Sequence, residues 1–134
     1  MFANFISDFK VQLYDLLSQD TSIYEKIDSI YLTPPQDAKY PFLLINILEV
    51  TNCSKFDWNM YDVEFAICIF SRKSEQKIDA LLDRITNIIT PKNCQFGKYQ
   101  VSALKVSCLT FDQSRDLISN KLSIKYKSLI KKAE

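Results

Sequence analysis

The chain has 134 residues, which suits a single domain spanning 1–134. Apolar residues make up 47% and charged residues 25%, which excludes disorder; 17 basic against 16 acidic residues leave a net charge of +1 and no overall electrostatic case for nucleic acid or membrane. Histidine is absent and glycine occurs once, at Gly97, so Ser-His-Asp and Cys-His catalysis, most catalytic zinc sites and glycine-rich phosphate loops are excluded.

Residues 2–18 carry apolar side chains at helical spacing, namely Phe2, Phe5, Ile6, Phe9, Leu13, Leu16 and Leu17. This predicts an amphipathic helix lying on a sheet. Asp20, Thr21 or Ser22 then offers an N-cap for a short helix, and Ser22 with Glu25 has capping-box spacing. "SIYL" (29–32) reads as a brief strand ended by Pro34 and Pro35, which cannot donate to a ladder. After Pro41, "FLLINILEV" (42–50) is apolar on both alternating faces, which predicts a central strand covered on both sides.

A polar connection, "TNCSKFDWN" (51–59), leads to a strand over 60–70. Tyr61, Val63, Phe65, Ile67 and Ile69 occupy one face; Asp62, Glu64, Ala66, Cys68 and Phe70 occupy the other. Ser71 or Ser74 caps the next helix, whose stripe is Ile78, Leu81, Leu82, Ile85, Ile88 and Ile89, and Pro91 stops it. A strand follows near 99–112, "DQSRD" (112–116) reads as a turn, and the last strand covers about 117–130. There Leu122, Ile124 and Tyr126 face one way and Lys121, Ser123, Lys125 and Lys127 the other. The tail "KKAE" is expected to be loose. The order predicts an α+β fold, a mostly antiparallel sheet with two amphipathic helices packed on one face.

No catalytic, cofactor or metal set emerges. Cys53, Cys68, Cys94 and Cys108 form no C-x-x-C pair and read as free thiols of a cytoplasmic protein. The opening "MFANFISDF" lacks a basic n-region, so no leader is expected, and no apolar run approaches the ~20 residues of a membrane span. An enzyme would have to use Cys68 or Cys108 without a histidine partner, or the pair Asp112 and Asp116, which read as turn residues. A nucleic-acid module would use Lys121, Lys125, Lys127, Lys131 and Lys132 with Tyr99 and Phe111 interleaved, against an evenly balanced charge.

Four stretches, in order and spacing, resemble the phage tail-terminator or tail-completion family of phages, prophages and gene-transfer agents. They are "LYDLLSQDTSI" (13–23), "IYLTPPQDAKYPFLLI" (30–45), "VEFAICIFSRKSEQKIDALLDRI" (63–85) and "FDQSRDLISNKLSIKYKSLI" (111–130). The glycines usual in that family before the Ile-Tyr strand and in the hairpins are missing here. The resemblance implies a non-enzymatic homo-oligomeric ring, commonly a hexamer, assembled in the cytoplasm and carried in the particle's tail. Such a ring caps the tail tube protein, meets the head-side connector protein, and lets DNA through without specific binding or cofactors.

Two sets of residues are expected to serve that role. Phe56 and Trp58 stand outside any periodic core pattern in the 51–61 connection, and with Tyr61 they are expected at a subunit or tube interface, where aromatic anchors concentrate. In the resembled family a hairpin at this position projects toward the tube or the neighbouring subunit. Asp57, Asp62 and Glu64 are expected to line the lumen, since a basic lining would hold DNA phosphates through counterion release. The lysines of 121–127 would then face outward or toward a neighbour's acidic patch.

Overall fold

Phe5, Phe9, Leu13 and Leu17 recur every fourth residue, and the helix they build, α1 (Phe2–Ser18), buries all four. The computed structural model describes residues 2–33, 35–52, 60–72, 78–90, 95–96, 99–113 and 119–132. Asp20 caps the short α2 (Thr21–Tyr24), its carboxylate accepting the Ile23 N–H at 3.1 Å. The same carboxylate accepts from the Arg84 side chain (Nε to Oδ2, 2.7 Å) on α3 (Ile78–Ile88) and forms an ion pair with it. One short side chain thus caps a helix and ties two helices together. On the α3 side, Leu81, Ile85 and Ile89 are buried, as the stripe predicts.

The strands are β1 (Ser29–Tyr31), β2 (Phe42–Asn52), β3 (Met60–Arg72), β4 (Gln95–Phe96), β5 (Tyr99–Gln113) and β6 (Ser119–Lys132). They form a single sheet in the order β1-β2-β3-β6-β5-β4, with only β1–β2 parallel. The chain is therefore α+β with a mostly antiparallel sheet. Register follows the period-two pattern read from the sequence: Ile45 pairs with Ile67, Ile67 with Ile124, and Ile124 with Leu109.

The helices cover one face. Phe5 stacks on Tyr61 at 4.2 Å, and Phe9 meets Phe65 edge-on at 5.5 Å. Phe65 in turn stacks on Tyr126 at 5.0 Å. Each such aromatic pair contributes about 0.5–1.5 kcal/mol beyond burial. The core holds α1, α2, α3 and the odd-numbered side chains of β3 in one contiguous cluster.

Several sequence expectations need correction: Ser71, offered as a helix cap, is buried in β3, and Lys131 and Lys132 of the expected loose tail belong to β6. β2 is not covered on both sides: Phe42, Leu43 and Ile45 are buried, but Asn46, Leu48 and Glu49 are exposed. All the described helices lie on the other face, and β1 is only three residues long, so β2 becomes an edge strand after Leu44. Asp112 is not in a turn. It belongs to β5, which continues to Gln113, and pairs with Lys121.

Candidate assembly surfaces

The face without helices is built in rows, one residue from each long strand. At one end lie Phe42, Phe70, Lys121 and Asp112. Phe42 and Phe70 stack at 4.7 Å, Tyr40 and Tyr31 pack against Phe42, and Arg72 and Lys121 place their cations over Tyr40 and Phe70 at 5.1 and 5.6 Å. The proline-rich approach, with its cis Tyr40–Pro41 bond, leads Tyr40 into this cluster. Small buried side chains follow, including Ala66, Cys68 and Ser123.

Toward the other end runs the row Glu49, Glu64, Lys127, Lys105. It is acidic at the β2 edge and basic at the β5 edge. Glu49, Thr51, Asp62, Glu64 and Lys127 line a shallow polar cleft there. Glu49 and Glu64 are directly opposed like charges, an unfavourable cross-strand pair that Lys127 only partly offsets.

Among the described residues both long edges of the sheet are open. Among the described residues no strand pairs with the outer side of β2 beyond Leu44, nor with the outer side of β5 beyond Gln100, because β1 and β4 are too short to reach. Exposed apolar side chains collect along these edges: Leu48 on β2, and Val106, Leu109 and Phe111 on β5, with Phe111 75% exposed. Ile6, Lys10, Ile47, Leu48, Glu49 and Val50 line a second groove, between α1 and the β2 edge. Each edge strand also carries a break in register, between Ile47 and Glu49 and at Ser102/Lys105 and Val106/Cys108. Within the first β5 break Ala103 takes φ 50°, a conformation usually reserved for glycine.

The residues expected at functional surfaces fare differently. Phe56, Asp57 and Trp58 lie outside the described residues, as do Cys53, Cys94 and Asp116. Tyr61 is corrected: it is 6% exposed and stacked beneath Phe5, so it serves the core and not an interface. Asp62 and Glu64 stand together on the helix-free face. Lys121, Lys125, Lys127 and Lys131 stand on that same face, which register alone reveals, so acids and lysines share one surface.

The alternative chemistries are not brought together. Cys68 is buried and accepts a 3.5 Å hydrogen bond from Ser123 Oγ, beyond reach of a substrate. Cys108 is exposed on the β5 edge. For nucleic acid, Tyr99 is buried and Phe111 pairs with Leu122, on the opposite face from Lys121, Lys125, Lys127 and Lys131, so the expected interleaving of Tyr99 and Phe111 with those lysines does not form. Among the described residues no group of three or more His, Cys, Asp or Glu could hold a metal ion. No helix of the described residues is long and apolar enough to cross a membrane.

Sequence reasoning missed the open edges. Their signal was the mismatch between a three-residue strand and its eleven-residue neighbour.

No family model and no curated protein sequence matches the chain. Among solved structures, a chain from the virion of a native gene transfer agent particle matches with a TM-score of 0.74 at 9% identity, covering 92% of this chain and 96% of that one. At that identity the likeness is one of fold.

Proposed function

We propose that this chain is a structural component of a phage-like particle, and within it a tail-terminator: a ring that caps the tail tube and presents a surface to the head-side connector. The observation that carries this is the end-to-end fold likeness to a chain of a gene transfer agent virion, which falls on the same class of particle as the resemblance in the sequence. A structural role also suits a surface with open sheet edges, a charged sheet face and a buried Cys68.

In this reading the ring is hexameric, it assembles in the cytoplasm, and DNA passes through it without specific binding. The helix-free face, with Asp62 and Glu64, lines the channel together with Asp57. Glu49, Asp62, Glu64 and Asp112 share this face with Lys105, Lys121, Lys125, Lys127, Lys131 and Arg72, so its acids offset most of the positive charge that would otherwise condense phosphates. Phe56 and Trp58, in the stretch of sequence between β2 and β3, contact the tube or the next subunit in this reading.

Electron microscopy of the purified chain, alone and mixed with tail tubes, tests the proposal. Rings, or caps on tube ends, are expected. A chain that forms neither at any salt concentration overturns it.

A further inference from the structure

The four long strands alternate in direction across β2-β3-β6-β5. The two outermost therefore run oppositely. A second copy laid beside the first in the same orientation brings its β2 edge antiparallel to the first copy's β5 edge, and the alternation continues unbroken. The row Glu49, Glu64, Lys127, Lys105 then continues as well, with Lys105 followed by Glu49 of the next copy.

We infer that copies of this chain join head to tail through their sheet edges, the β5 edge of one pairing antiparallel with the β2 edge of the next, with Lys105 opposite Glu49. This rests on the ring reading above and names the contact that closes the ring.

Several observations select a second copy as the occupant. The edges are complementary in charge: Lys105 is exposed at one, and Glu49, already burdened by Glu64, is exposed at the other. A lysine brought to Glu49 relieves that repulsion. The edges also match in apolar content. Val106 follows Lys105 at 47% exposure, and Leu48 precedes Glu49 at 43%, so the same alignment places Val106 beside Ile47 and Leu48 of the next copy. β1 covers β2 at Phe42–Leu44, so with Lys105 opposite Glu49 the pairing is confined to Ile45–Asn52 of β2 and Ser102–Leu109 of β5, and Thr110–Gln113 have to turn away from the neighbour's β1.

A two-fold β5-to-β5 contact would leave the β2 edge and its like-charge pair exposed. The head-to-tail contact uses both edges, and heterologous contacts of this kind close into rings when the rotation permits. The register breaks on both strands bend the edges away from indiscriminate pairing, so only an edge of matching shape and charge docks.

Charge reversal and cross-linking test the contact. Native mass and sedimentation of Lys105→Glu and Glu49→Lys should each show self-association weakened at least about tenfold, since a like-charge pair opposes docking. The double variant should return to within about threefold of the parent. Circular dichroism confirms that each variant is folded. In a background with all four cysteines changed to serine, Lys105→Cys combined with Glu49→Cys should oxidise to a ladder of multimers, with or without tail tubes present.

An effect of Lys105→Glu with none from Glu49→Lys, or cross-linking that stops at dimers, overturns the head-to-tail contact in favour of a two-fold one. Rings seen by microscopy without the disulfide-linked ladder overturn the edge contact and leave the ring reading standing. Neither rings nor ladder overturns both.

Discussion

The Tyr99 hydroxyl donates a 2.8 Å hydrogen bond to the Asp8 carboxylate. It fastens the first helix to the start of β5, at the far side of the sheet. The ring also meets Phe5 and Phe9 edge-on, at 5.5 and 5.9 Å. Burial first, and then the Asp8 carboxylate, push the phenol well above its ordinary value of 10.0. A raised folded pKa means that the stabilisation is fully present below pH 10.0 and is lost as pH rises above it. Tyr99→Phe keeps the ring and removes the bond. It should cost about 1–2 kcal/mol at neutral pH, and its melting temperature should fall less steeply above about pH 10 than the parent's. Equal stability and equal alkaline slope would refute the role.

Tyr126 presents the opposite case. Its hydroxyl is buried and has no hydrogen-bond partner among the described residues, while its ring stacks on Phe65. Burial pushes its pKa well up. An unsatisfied buried polar atom costs about 1–3 kcal/mol, so Tyr126→Phe should leave stability unchanged or raise it by about 1 kcal/mol. Urea unfolding measures this, and a loss above about 1 kcal/mol would show that the hydroxyl has a favourable partner.

The Asp20–Arg84 pair makes stability fall in acid. The Arg84 side-chain hydrogen bond, more than any other influence, holds the Asp20 carboxyl below its ordinary 3.8. A depressed pKa contributes stability that is present above 3.8 and lost as pH falls below it. Thermal melts from about pH 5 down to about pH 2 should show Arg84→Gln losing less stability on acidification than the parent. Asp20→Ala removes the cap of α2 as well and should cost about 1 kcal/mol, whereas Asp20→Asn keeps the cap.

Phe9 and Leu81 sit at the centre of the helix-sheet contact, at 0% and 1% exposure. An aspartate at either position buries a charge without a partner. Phe9→Asp or Leu81→Asp should destabilise by more than about 4 kcal/mol, and Leu81→Ala by about 2–5 kcal/mol. Denaturant midpoints provide the check; a shift below about 1 kcal/mol for Leu81→Ala would mean that α3 packs loosely.

Ala103, at φ 50°, supports a break in β5 that glycine would support without strain. Ala103→Gly should be neutral or stabilising by up to about 1 kcal/mol. The usual helix or strand glycine penalty at this site, read by the same unfolding curves, would argue that Ala103 is not strained.

By itself the sequence determined the two helix stripes, the strand faces and hence the α+β class, because the periods of 3.6 and 2 are local properties of neighbouring residues. It placed Phe9, Leu81, Ile67 and Ile124 in the core. It also set Asp62 and Glu64 on one strand face and the lysines on another strand. What it could not carry is which strands are neighbours and where each one ends. Leu48 and Phe111 look like core residues in a linear pattern and stand exposed because β1 and β4 are too short to cover the edges. Tyr61 belongs to a segment that looked like an interface and is sealed under Phe5. Glu49, Glu64, Lys127 and Lys105 are far apart in the chain. Only the register of three strand pairings brings them into one row with opposite charges at its two ends. Side-chain period is set by bonds along one strand, whereas register and edge exposure are set by competition among all the strands for the same hydrogen-bonding partners, and that competition is resolved only when the sheet forms.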